Sequence, residues 1–120
     1  MTARPPLRIQ RRRTRGWRMP AGAVSVARPG PWGNPFVPGQ ASQVIPGRQV
    51  EDKRHAAALY AGFAPQQPRL VAAARAELKG KDLACWCRLC ELHRDGLPLG
   101  TRCPWCEPCH ADTLLELANG

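Results

Sequence analysis

Leu83-Ala84-Cys85-Trp86-Cys87-Arg88-Leu89-Cys90, followed after twelve residues by Cys103-Pro104-Trp105-Cys106-Glu107-Pro108-Cys109-His110, holds a strand, a metal-binding pattern and a helix start in one stretch. A two-residue gap between cysteines turns the backbone so that both sulfurs face one point. Cys87-x2-Cys90 and Cys103-x2-Cys106 therefore offer four thiolates for a tetrahedral zinc ion, with Pro104 and the Gly96–Gly100 segment making the turns between. The competing reading is four free or redox-linked thiols, and His93 is a possible substitute for one sulfur. Cys85 lies two residues before Cys87 on a strand, so both point to the same face. Cys109 and His110 open a helix, where unpaired backbone N–H groups and the helix dipole favour a thiolate. With Asp112 in the first turn, Cys109, His110 and Asp112 are the catalytic candidates. The plainer alternative has Cys109 or Asp112 capping the helix and Cys85 packed in the core.

Outward from this run, the pattern alternates between strand and helix. Leu83 to Trp86 reads as a strand, and Arg69 to Lys79 as a helix with Leu70, Ala73, Ala74 and Leu78 on one side and Gly80 as its stop. Val50 to Phe63 is another helix, carrying Ala57, Leu59, Tyr60 and Phe63 at helical spacing. Gly22 to Ala27 is a strand with Val24 and Val26 on one face. His110 to Ala118 is the last helix. The order β-α-α-β-loop-α predicts a small α/β fold: a single-layer core with the two strands adjacent and a zinc-knuckle insert at about residues 87–106. Residues 28–48 are dense in Pro and Gly and read as loop. Within them stands Trp32-Gly33-Asn34-Pro35-Phe36, just beyond a strand end, where ligands of open α/β layers bind. Arg28, Trp32, Asn34 and Cys85 are the ligand-binding candidates, Arg28 for an anion and Trp32 for stacking. An Asn-Pro turn pinned by two buried aromatics is the alternative.

Charge divides the 120-residue chain, whose net charge is +9. Residues 1–50 contain nine Arg, no Lys and no carboxylate, whereas residues 51–120 balance nine bases against nine acids. Residues 1–20 read as a basic, poorly ordered arm, separate from a domain over 21–120; Leu7 and Ile9 alternate with Arg8 as an added edge strand would. Arg8, Arg11, Arg12, Arg13, Arg15 and Arg18 make this arm a candidate contact for nucleic acid. No apolar stretch follows the arginines and none approaches a membrane span. The reading is therefore a cytoplasmic protein with no membrane partner, whose paired cysteines are metal ligands in a reducing compartment.

Several stretches together resemble a bacterial and phage family catalogued as domain of unknown function 4326. They are Arg8-Ile-Gln-Arg-Arg-Arg-Thr14, Gly16-Trp-Arg-Met-Pro20, Arg28-Pro29 with Trp32-Gly-Asn-Pro-Phe36, Gly80-Lys-Asp-Leu-Ala-Cys-Trp-Cys87 and Cys109-His-Ala-Asp112. Ala27 stands where relatives often have Gly. The resemblance implies no activity. It does imply that Cys90 to Cys106 is an insert on a common core, since shorter relatives keep the Cys-Trp-Cys and Cys-His motifs without the knuckles. It also implies a shared site of Arg28, Trp32, Asn34, Cys85, Cys109, His110 and Asp112. The functional expectation is a zinc-binding domain that takes nucleic acid or a phosphate-bearing small molecule. A small nucleotide- or nucleic-acid-directed enzyme using Cys109, His110 and Asp112, and a zinc-stapled protein-interaction module, are the alternatives.

Overall fold

The computed structural model describes residues 4–42 and 44–120. Residues 1–3 of the arginine-rich segment lie outside them. Four strands, β1 (Leu7–Gln10), β2 (Val24–Ser25), β3 (Leu83–Cys85) and β4 (Leu97–Pro98), form one mixed sheet in the order β2-β3-β1-β4. β1 and β2 both run parallel to β3, and β4 runs antiparallel to β1. Three helices, α1 (Lys53–Phe63), α2 (Pro68–Glu77) and α3 (His110–Asn119), complete the α/β fold. α3 packs on β1 and β3 and touches α1 and α2. Its Ala111, Leu114, Leu115 and Ala118 face a core that includes Val26, Phe36, Tyr60, Leu78 and Leu83. Among the described residues no helix is long and apolar enough to cross a membrane.

Local chemistry explains the boundaries. Asp52 caps α1 by accepting a 2.8 Å hydrogen bond from the His55 N–H, so the helix starts at Lys53, later than the predicted Val50. Val50 is instead fully buried in the core. Pro68 opens α2, where its missing N–H costs nothing. β2 and β3 are adjacent, as the sequence pattern predicts, and they run parallel.

The basic segment behaves differently from a loose arm. β1 lies inside the sheet, between β3 and β4, and not at its edge. Arg4 donates to both oxygens of Asp82, at 2.9 and 2.7 Å, and the Leu7 N–H donates to the same carboxylate. Within β1 the fully buried side chain is Arg8, at 1 % exposure. Its guanidinium donates to Asp112 at 2.7 Å and more weakly to the Arg88 carbonyl. A charge in the middle of a sheet is tolerated when it is paired. Strand alternation alone marks Leu7 and Ile9 as the packed positions; the carboxylate on α3 reverses that expectation for Arg8.

Candidate metal centres and the cavity at the strand ends

The parallel register pairs Arg8, Ile9 and Gln10 with Leu83, Ala84 and Cys85, and Val24 and Ser25 with Leu83 and Ala84. Three strands therefore end abreast, and the chain leaving each of them borders a cavity of about 330 Å³. Arg13 follows β1, Ala27 and Arg28 follow β2, and Trp86 and Cys87 follow β3. Lys53 from the start of α1 and Cys109 and His110 from the start of α3 join the lining. Its charged residues are Arg13, Arg28 and Lys53, and no carboxylate is among them.

The Trp32–Phe36 loop is fastened to this place by backbone chemistry. Asn34 is buried; its amide donates to the Ala56 carbonyl at 3.1 Å and its oxygen accepts from the Phe36 N–H at 2.9 Å. Arg28 donates to the carbonyls of Asn34 and Phe36, at 2.9 and 3.2 Å. Gly33 leaves room for that side chain: a Cβ there would lie 2.8 Å from Arg28 Cγ. Arg28 thus clamps the loop and at the same time lines the cavity.

Six cysteines sort into two groups. Cys90, His93, Cys103 and Cys106 bring four ligand atoms within 4.8 Å of one another. Cys90 Sγ lies 3.3 Å from His93 Nδ1 and 3.8 Å from Cys103 Sγ, and Cys106 Sγ lies 3.7 Å from the same His nitrogen. Cys85, Cys87 and Cys109 form the second group. Either group could hold a metal ion. The four-thiolate set Cys87, Cys90, Cys103 and Cys106 is therefore not gathered at one point: His93 stands in the position expected for Cys87. The reason is where β3 ends. Cys87 stands in the bend just after β3, where it meets Cys85 and the start of α3, while Cys90 lies with His93, Cys103 and Cys106. His93 sits on a short 3₁₀ turn, Glu91–His93, three residues beyond Cys90.

Cys109 caps α3, its sulfur accepting from the Ala111 N–H at 3.5 Å, and lies 3.0 Å from Cys85 Sγ. The three thiols compete for charge. Cys87, hydrogen-bonded by Cys109 and Cys85, is drawn down to about 3 and carries the thiolate. Cys109 would by donation lower Cys85, but Cys87 and burial together push Cys85 up to about 12. Burial, and then its two sulfur neighbours, raise Cys109 well above the ordinary thiol range. His110 Nε2 is 2.6 Å from the Val26 carbonyl and Nδ1 is 3.6 Å from Cys109 Sγ. Burial holds the ring below the usual histidine range, so it is neutral at pH 7.

Of the residues singled out from the sequence, Arg28, Asn34, Cys85, Cys87, Cys109 and His110 line the cavity together. Trp32 packs against the core instead, and Asp112 turns to Arg8. The geometry consequently contains no Cys-His-Asp relay, because a backbone carbonyl, and not Asp112, holds the His110 ring. Arg8 is buried among these groups and has no surface for nucleic acid. Arg11 and Arg13 lie over the Trp86 ring, at 4.5 and 4.6 Å from its centre. Arg13, Arg15 and Arg18 are exposed and Arg12 is half-buried. Arg13, expected to meet nucleic acid, lines the cavity as well, and so do Trp86 of the Cys-Trp-Cys motif and Lys53, which was not singled out and whose only signal was its place at a helix start.

A family model described as Domain of unknown function (DUF4326) matches residues 9–120. No curated protein and no solved structure matches the chain.

Proposed function

The chain belongs to the Domain of unknown function (DUF4326) family, and from that premise we propose that it is a zinc-stapled domain binding a nucleotide-like phosphate ligand at the strand ends. The cavity carries this reading. About 330 Å³ is within the usual range for small-molecule sites. Arg13 and Arg28, with Lys53 beside Glu107 at 3.8 Å, favour an anion, and Trp86 offers an aromatic wall. Zinc at Cys90, His93, Cys103 and Cys106 follows from donor type and spacing. Thiolates about 2.3 Å from a tetrahedral ion stand about 3.8 Å apart, and Cys90 and Cys103 are separated by 3.8 Å.

The test is titration calorimetry on the full-length, zinc-loaded protein with a nucleoside monophosphate, its bare nucleoside and inorganic phosphate. The monophosphate should bind best of the three. Arg13→Gln should weaken it about tenfold, or about 1.4 kcal/mol. No heat from any of the three, confirmed by an unmoved melting temperature, would remove this reading. A nucleic-acid strand is the second reading, favoured by one observation: Arg13, Arg15 and Arg18 are exposed along the segment leading away from the cavity.

A further inference from the structure

We infer that Cys85, Cys87 and Cys109 form a second zinc site, distinct from the staple, whose fourth coordination position opens into the cavity and exchanges ligand. Three observations converge on it. The first is the donor set. Three sulfurs from two separate elements, the end of β3 and the cap of α3, lie within 4.8 Å of one another. Three protein ligands with a vacant position is the arrangement of reactive zinc, whereas structural zinc has four.

The second is what surrounds the sulfurs. All three line the cavity, with His110 beside them. His110 does not complete the set: Nε2 is engaged with the Val26 carbonyl, and Nδ1 lies outside the group of mutually close ligand atoms. The fourth ligand must therefore arrive from the cavity, as water, a small anion or an oxygen or nitrogen donor of a larger molecule. His110 is placed to hydrogen-bond with such a ligand.

The third is charge. Three thiolates around a divalent ion leave one net negative charge in a desolvated pocket, which needs a fixed counter-charge. Arg8 supplies it. Burial works against its guanidinium, but Asp112, then Cys109 and Cys85, more than offset that cost. The thiolate-rich site also leaves zinc less electron-poor than an all-histidine site would, so it suits binding and orienting a soft donor.

Staple and open site are linked through the chain. The excursion from Arg88 to Pro108 leaves from one ligand of the open site, Cys87, and returns at another, Cys109. The staple closes that excursion and holds both arms in place.

Elemental analysis of reduced, full-length protein should give two zinc ions per chain. After replacement by cobalt, adding azide should shift the visible d–d bands. Cys87→Ser should leave one zinc and abolish the azide response; His93→Ala should keep that response. One zinc per chain in the unaltered protein would overturn the proposal, as would a Cys85–Cys109 disulfide in place of the second ion. Two ions with a cobalt spectrum indifferent to azide would overturn the open position. If Cys87→Ser does not fold, the stoichiometry and azide response of the unaltered protein still decide. Nucleotide binding enters neither readout, so this site and the phosphate reading fail separately.

Discussion

Arg8 and Tyr60 show how single side chains set the tone of the interior. Arg8 occupies a central strand position where an aliphatic residue would pack, and it is accommodated because Asp112 reaches it from the first turn of α3. Tyr60 is the chain's one tyrosine and is buried on α1, its ring centre 5.5 Å from that of His110 in an edge-to-face arrangement. Burial, with a smaller push from Cys109, raises its phenol to about 12. The unfolded chain ionises near the ordinary value of about 10. A raised folded pKa means the folded state keeps its proton longer. The stability tied to this group is whole below about pH 10 and falls as pH rises through about 12. A tyrosinate absorbance titration should therefore show a single late step that coincides with alkaline unfolding; ionisation near pH 10 in a still-folded protein would contradict it. Helical spacing marked Tyr60 as packed, but nothing marked Arg8. Arg8 sits in a run of arginines that reads as solvated, and only the tertiary approach of Asp112 distinguishes it.

At the scale of elements, the helices and β3 could be read directly because their signal, apolar spacing, is local; the starts were less legible, since the Asp52 cap moves α1 from Val50 to Lys53 and Pro68 opens α2 one residue before Arg69. β4 has two residues and β1 four, and their pairing is a long-range matter that no local pattern records. The metal groups divide the same way. The Cys-x2-Cys spacing announces a zinc site, yet it cannot say that Cys87 is held by β3 while His93 is carried round on a 3₁₀ turn. His93→Ala and Cys87→Ser consequently have opposite expectations. The first should cost the staple more than the roughly 10–100-fold in affinity typical of losing a supporting group, measured by zinc release to a chelator. The second should leave the staple's affinity unchanged. Cys103→Ser should lower stability by several kcal/mol, since structural zinc contributes about 10–16 kcal/mol in small domains. Equal zinc retention in His93→Ala and the unaltered protein would return the fourth ligand to Cys87. The insert presents Leu92 and Trp105 to solvent, at 85 % and 76 % exposure, and buries only a small cluster of Leu89, Leu97 and Cys106 beside the staple, so the metal adds to a slight apolar core and the β4–β1 pairing.

Across the whole molecule, the asymmetry of charge has a structural use as well as an electrostatic one. Arg4 anchors to Asp82, Arg8 to Asp112 and Arg11 to Ser25 and Trp86, so the basic segment is sewn to the domain over its first half. Arg12, Arg13, Arg15 and Arg18 are the arginines at or near the surface that no side-chain hydrogen bond engages among the described residues of that segment. This bounds nucleic-acid binding. Each phosphate neutralised on duplex DNA contributes about −0.9 to the slope of log K against log salt, so four arginines give a slope no steeper than about −3.6. Removing residues 1–18 cannot test the contribution cleanly, because it deletes β1 from between β3 and β4 and should unfold the sheet. The informative variant is Arg15→Gln with Arg18→Gln, two exposed side chains outside every strand and helix. If a strand is bound, this pair should make the slope shallower by about 1.8 and leave the melting temperature unchanged. A labelled duplex and a labelled single strand titrated at several salt concentrations supply both slopes. A slope that does not respond to the paired change, with the protein still folded, would confine phosphate recognition to Arg13, Arg28 and Lys53 around the cavity.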